Sequence, residues 1–211
     1  SNLQGADFEG AYLEDGNFSG ATLTNAKLSS SDLGSANLSK AVLLGADLRE
    51  VNMPGIIFSG AIYDETTQLP ESIDPVSEGM LLIGPGVDLS FIDEDLQGAR
   101  LQGVNLQGAN LDSTNLQGAN LQGANLTSTN LPLGNLSEAN LENAVLKNIG
   151  AWNSNWSGSN LQGADFGESG YFQDANFSGA NLTNATLKRV FLIGANLDQA
   201  DLTNANLSNA F

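Results

Sequence analysis

The sequence predicts an all-β solenoid whose backbone turns one corner in every five residues. Three observations carry this: a large apolar residue on a five-residue beat, a small residue two positions before it, and turn formers just after it. The beat starts at Leu3 and returns at Phe8, Leu13, Phe18 and every fifth position to Tyr63. It resumes at Leu96 and runs to Leu146; Ala151 is a weak beat, and Trp156, Leu161 and Phe166 restore it. One residue is then inserted within Gly167 to Gly170, and the beat continues from Phe172 to Leu207.

Neither regular element fits this spacing. An α-helix turns about 500° in five residues, so successive leucines would drift by about 140° round its surface. In a flat strand an odd spacing sends successive leucines to opposite faces. A chain that bends within each pentad can instead aim every Leu, and the Ala two places before it, at a common axis, as in Ala109-Asn110-Leu111. The Asn or Asp between them then faces water. The corners agree: Gln-Gly pairs such as Gln102-Gly103 supply a residue tolerant of positive φ. Pro54 and Pro132, each directly after a beat, suit the first central position of a turn.

Composition narrows function. The chain has 211 residues, 24 Asp plus Glu against 7 Lys plus Arg, and a formal net charge of -17. Such acidity argues against direct nucleic-acid binding and against attachment to an anionic membrane. With no Cys and no His, disulfides, thiolate or imidazole metal sites and Ser-His or Cys-His nucleophile pairs are excluded. No apolar run approaches the roughly 20 residues that span a bilayer, so no membrane insertion is expected. No catalytic residues, no resident metal and no cofactor are expected, because outward acids on a convex solenoid lack a cleft. The compartment is left open between the cytoplasm and, after removal of a targeting segment, the thylakoid lumen or periplasm.

The A-[DN]-L-x-x pentads, for example Ala109-Asn110-Leu111, Ala119-Asn120-Leu121 and Ala195-Asn196-Leu197, resemble those of the pentapeptide-repeat proteins over most of the chain. The resemblance implies a right-handed quadrilateral β-helix with four pentads to each coil. The expected organisation is a first repeat block at 1–63, an acidic insertion loop at 64–95, and a second block at 96–211 stacked on the first. The insertion holds nine acids and no base; its Tyr63 to Pro75 stretch resembles an insertion of cyanobacterial members of the family. Met80-Leu81-Leu82-Ile83 within it is expected to pack back as a short strand. Asp93, Glu94 and Asp95 form a candidate loop contact, for a partner or as hard oxygen ligands for calcium.

With four pentads to a coil, residues 20 apart share one side. The outward position before the beat then reads Tyr171, Phe191 and Phe211, an exposed aromatic column. Ile193 lies just after the beat on the same side, and Trp152, allowing for the inserted residue, is expected in its column one coil earlier. These five residues are the candidate protein-interaction patch, for a homodimer through the C-terminal end or for an unidentified protein partner. Val42 and Ile62 form a smaller pair, the expected docking place of the loop. The expected function is a non-enzymatic interaction scaffold. The resemblance also implies an alternative, since some members imitate DNA, bind DNA gyrase and protect it from quinolones. Against that stands the outward series Asn105, Asn110, Asn115, Asn120, Asn125, Asn130 and Asn135, since neutral amides imitate phosphate poorly.

Overall fold

The corner sets the architecture. In most pentads the small residue donates its N–H to the carbonyl of the preceding beat, as in Ala124 to Leu121 at 2.9 Å. The second residue of the turn has positive φ: 67° at Gly123, and 57° even at Asn143. This is the type II turn, which demands a left-handed residue at that position. Between corners the chain is extended and pairs in parallel with the next coil: Leu121 N–H donates to Asn140 O at 2.7 Å, and Asn120 N–H to Ala99 O at 2.8 Å.

The computed structural model of the chain describes residues 1–90 and 96–211. They form two compact units, Ser1–Ile83 and Gly84–Phe211, each a right-handed quadrilateral β-helix. Parallel bridges join residues 20 apart, such as Asn17 to Asn37 in the first unit and Asn115 to Asn135 in the second. After the inserted residue the step becomes 21, as in Gly150 to Tyr171, and the columns stay in line. Among the described residues there is no helix, and so none long and apolar enough to cross a membrane.

Each unit has an axial core. In the second, Leu101, Leu111, Leu116, Leu121, Leu126 and Leu131 are fully buried. Thr114 and Thr129 occupy inward positions otherwise filled by Ala, and their hydroxyls donate to Leu89 O at 3.1 Å and Leu126 O at 2.8 Å. Near the insertion the core turns aromatic. Trp156 stacks on Phe177 at 5.7 Å and meets Phe172 edge-on, and its indole N–H donates to Ser154 Oγ at 2.6 Å. Ala151, the weak beat of the sequence, is also buried, and its carbonyl accepts from the Ser154 hydroxyl that in turn takes the indole N–H.

The acidic segment departs from the expected single loop. Gln68 bridges Asp47, and strand β2 (Leu81–Leu82) pairs in parallel with β1 (Ile62–Tyr63), so residues 64–83 form a further coil of the first unit. Leu69, Ile73 and Met80 join that unit's core. Residues 84–90 belong to the second unit, where Asp88 bridges Asn110 and Leu89 is buried. The pentad beat disappears because Asp47 faces Gln68 and Ile62 faces Leu81, steps of 21 and 19. The coil survives where the five-residue spacing does not.

A single carboxylate anchors that coil. Asp64 Oδ1 accepts from Gly45 N–H at 3.0 Å, Thr66 Oγ1 at 2.7 Å and Thr67 N–H at 3.0 Å. Partial burial pushes this carboxyl up, but the bonds from Thr66, Gly45 and Thr67 outweigh burial and hold it below the ordinary carboxylate value. Its folded pKa is depressed, so its contribution is complete above the unfolded pKa of about 3.9 and is lost as pH falls through the folded value. Asp64→Asn is expected to lower stability by about 1–2 kcal/mol at neutral pH. Chemical-denaturant unfolding followed from pH 7 to acid should show the variant's deficit shrinking below about pH 4.

The outward amides form ladders. Asn135, Asn155, Asn176 and Asn196 each donate Nδ2 to the Oδ1 of the Asn one coil earlier, at 3.1–3.2 Å. The same oxygens accept the backbone N–H two residues on, as from Ser137 to Asn135 at 3.2 Å. Asp can do the second job but not the first. Asn160 donates to Asn140 at 3.0 Å and accepts from Asn181 at 3.1 Å, so Asn160→Asp should cost about 1–2 kcal/mol by setting two oxygens against each other. Asn120 accepts from Gln122 and Asn140 and bridges Arg100, so Asn120→Asp should cost under about 0.5 kcal/mol. Thermal melts of the two variants at neutral pH check this ranking.

Candidate functional site

Tyr171, Phe191 and Phe211 lie at the outward position of three successive coils of the second unit, bridged Tyr171 to Phe191 and bonded Phe211 N–H to Val190 O. The first two rings are 5.0 Å apart and 2° from parallel; the second and third are 5.0 Å apart at 12°. That separation matches the roughly 4.7–4.9 Å between paired strands, so the ladder itself stacks the rings. Both faces of Phe191 are spent on its neighbours, while Tyr171 and Phe211 each give one face to it. Tyr171 is 47% and Phe211 65% exposed.

The column continues one step below Tyr171 by substitution. Its bridge partner is Gly150, and a side chain there would collide with the Trp152 indole, 2.9 Å from where its Cβ would stand. Trp152 therefore folds over the vacant place and adds a fourth ring surface to the side. Ile193 is exposed at the corner after the column. Trp152 and Ile193 share that corner, but the register puts Gln173 between them, making Trp152 two coils from Ile193. Asn153 N–H donates to Gln173 O, and Asp174 N–H to Ile193 O.

One member of this surface escaped the sequence reading. Leu133 is 62% exposed, has φ of 57°, and donates its N–H to Trp152 O at 3.1 Å. A leucine in the left-handed region costs roughly 1–2 kcal/mol relative to glycine. The signal was present in the sequence: Pro132-Leu133 places an apolar Leu where Gly, Asn or Ser stands at most other corners and a polar residue at the rest.

The opposite corner, leading into the aromatic column, is polar. Lys147, Asn148, Asp165, Gly167, Glu168, Ser169, Thr186 and Lys188 line a depression of about 340 Å³. Lys147 Nζ pairs with Asp165 at 3.0 Å, while Glu168 is shared by Lys188 Nζ at 3.5 Å and Arg189 Nη1 at 3.8 Å. The inserted residue belongs to this corner, which carries Gly167 at φ 67° against the Lys147 backbone.

The other sequence-derived candidates do not join this site. Asp93, Glu94 and Asp95 lie outside the described residues. Val42 and Ile62 are buried in the first-unit column that also holds Thr22 and Leu81; the 80–83 segment packs back on Ile62 as a short strand, as expected, and leaves no open surface there. Tyr12, although 92% exposed, has Asp32 as its coil neighbour and is a lone surface ring. Among the described residues no three Asp or Glu side chains are placed to hold a metal.

Phe191 stacks on both neighbours, so Phe191→Ala should lower stability by about 0.5–2 kcal/mol while leaving the fold intact. Thermal melting together with an unchanged far-ultraviolet dichroism spectrum at low temperature checks this.

A family model for pentapeptide repeats matches in eight copies across residues 1–39, 26–62, 95–131, 135–169 and 171–211. Among solved structures, HetL of the cyanobacterium Nostoc sp. strain PCC 7120 is 29% identical, covers 99% of this chain and 89% of its own, and gives a TM-score of 0.41. HetL is described as a pentapeptide repeat protein involved in heterocyst differentiation regulation. The pentapeptide repeat protein alr5209, also from Nostoc PCC 7120, is 34% identical over 39% of this chain and 76% of its own, with a TM-score of 0.32. QnrB1, a plasmid-mediated fluoroquinolone resistance protein, is 19% identical over 99% of this chain and 88% of its own, with a TM-score of 0.38; that is a likeness of fold. A search of curated proteins finds no match.

Proposed function

We propose, from the premise that the chain belongs to the pentapeptide repeat family, that it is a non-enzymatic scaffold that binds another protein through the aromatic side of its second unit. The observation that carries this is the ring stack Tyr171–Phe191–Phe211, half-buried at Phe191 and exposed at Tyr171 and Phe211, extended by Trp152 and bordered by Leu133 and Ile193. Contiguous exposed aromatic surface is the composition of binding hot spots, and isolated surface hydrophobes are not. A lateral side of a β-helix has no free strand edge, since each coil is paired above and below. Recognition there depends on side chains and not on strand addition. Along the side the stack presents ring edges, which suit packing against aliphatic and aromatic side chains.

Imitation of DNA phosphates is the weaker reading. The outward positions of residues 101–137 are amides bonded to one another, as Asn130 to Asn110 at 2.9 Å, and they present no row of carboxylates.

The test is affinity capture from a cyanobacterial extract by three immobilised proteins: the wild type, Tyr171→Ser/Phe191→Ser, and the control Tyr12→Ser. A protein retained by wild type and control but lost from the folded double variant is the expected outcome. Retention of every captured protein by the double variant would sink the proposal.

A further inference from the structure

The polar corner beside the aromatic column holds three of the chain's seven basic residues, Lys147, Lys188 and Arg189. They face two acids, Asp165 and Glu168, and Glu168 is divided between Lys188 and Arg189 at 3.5 and 3.8 Å. One positive charge is therefore left over, on a chain whose net charge is -17. The geometry keeps this excess open to a visitor. Lys147, Glu168 and Lys188 lie on three successive coils round a depression of about 340 Å³, widened by the extra residue between Gly167 and Gly170. All three side chains are between 42% and 58% exposed. The corner runs straight into the rings: Tyr171 follows Gly170, and Phe191 stands two residues after Arg189.

We infer that this corner is the charged flank of the aromatic face, and that it selects a partner segment carrying carboxylates beside its apolar side chains. A visiting carboxylate would compete with Glu168 for Lys188 and Arg189, the planar guanidinium offering the better geometry. On a chain with a net charge of -17 this corner is a local cationic excess directly beside the rings, so electrostatic complementarity directs an acidic segment to this edge and fixes its orientation on them. The inference rests on the aromatic side being an interface and adds the chemistry of what it takes.

The test uses the full chain and two fluorescein-labelled synthetic peptides with the same leucine- and phenylalanine-containing core. One ends in paired glutamates and the other in paired glutamines. Fluorescence anisotropy should show the glutamate peptide binding the wild type roughly tenfold more tightly, a charge-assisted hydrogen bond's worth. That preference should vanish in Lys188→Gln/Arg189→Gln, and Phe191→Ala should weaken both peptides. Equal affinities, a preference that survives in the Lys188/Arg189 variant, or no binding of either peptide overturns the inference. Failure here is separable from failure of the interface itself. A captured protein lost on ring substitution but kept by Lys188→Gln/Arg189→Gln removes the carboxylate preference and leaves the aromatic interface standing.

Discussion

The structure depends on one backbone constraint: in every fifth residue the chain must place a left-handed φ at the second position of a turn closed by an N–H to the beat carbonyl. Glycine meets it without strain, and Asn, Asp and Ser tolerate it, which is why the second residue after a beat is drawn from these types at most corners. Once the corner recurs, the inward Leu and Ala need no further instruction. Each coil's inner face is apolar on all four sides, and only stacking on the neighbouring coil removes it from water. Hydrogen bonds then follow, because extended sides aligned by identical corners are already in parallel register.

The same register governs where charge can go. Outward residues of successive coils stand at strand separation, where two carboxylates would repel by about 1 kcal/mol even in water. The columns avoid this. Asp32 is followed by Asn52, which donates to it at 3.0 Å; Asp88 is followed by Asn110, also at 3.0 Å; and Asp7 is followed by Lys27. Acidity is thus displaced to corners and to the irregular coil at 64–83, while the flat sides are tiled by neutral amides. High net charge and a phosphate-like charge pattern are separate properties here, and the ladder chemistry keeps them separate.

The repeating part of this molecule is legible in sequence because its signal is local: five residues suffice to specify a corner, an inward Leu and an outward amide. The register of the aromatic column, which lies wholly beyond the insertion, followed from counting alone. What counting missed was non-local. The coil at 64–83 has no pentads, and its register comes from Asp64 gripping Gly45, with Thr67 bonded to Leu43 O at 2.9 Å. The placement of Trp152 over Gly150 was equally hidden, since a ring that leans across to the neighbouring position leaves no periodic mark. Gln173, between Trp152 and Ile193, was overlooked because the inserted residue shifts the count by one at that coil.

A fold built from identical corners is informative where it deviates, since any deviation relinquishes the stability of the repeat and persists only if something compensates. In the second unit three of the deviations border the aromatic side. Leu133 takes the strained corner position after the aromatic side; Gly150 leaves a gap in the outward column; and the extra residue at Gly167–Gly170 lies at the corner before it. None improves the core, and each alters what this one side shows to solvent: an added apolar residue, an indole laid flat, and a widened cationic corner. Glu138, Arg189 and Gln199 carry the same left-handed φ at other corners, so what sets this side apart is that an apolar corner residue, a gap in the column and an insertion all border one ring stack.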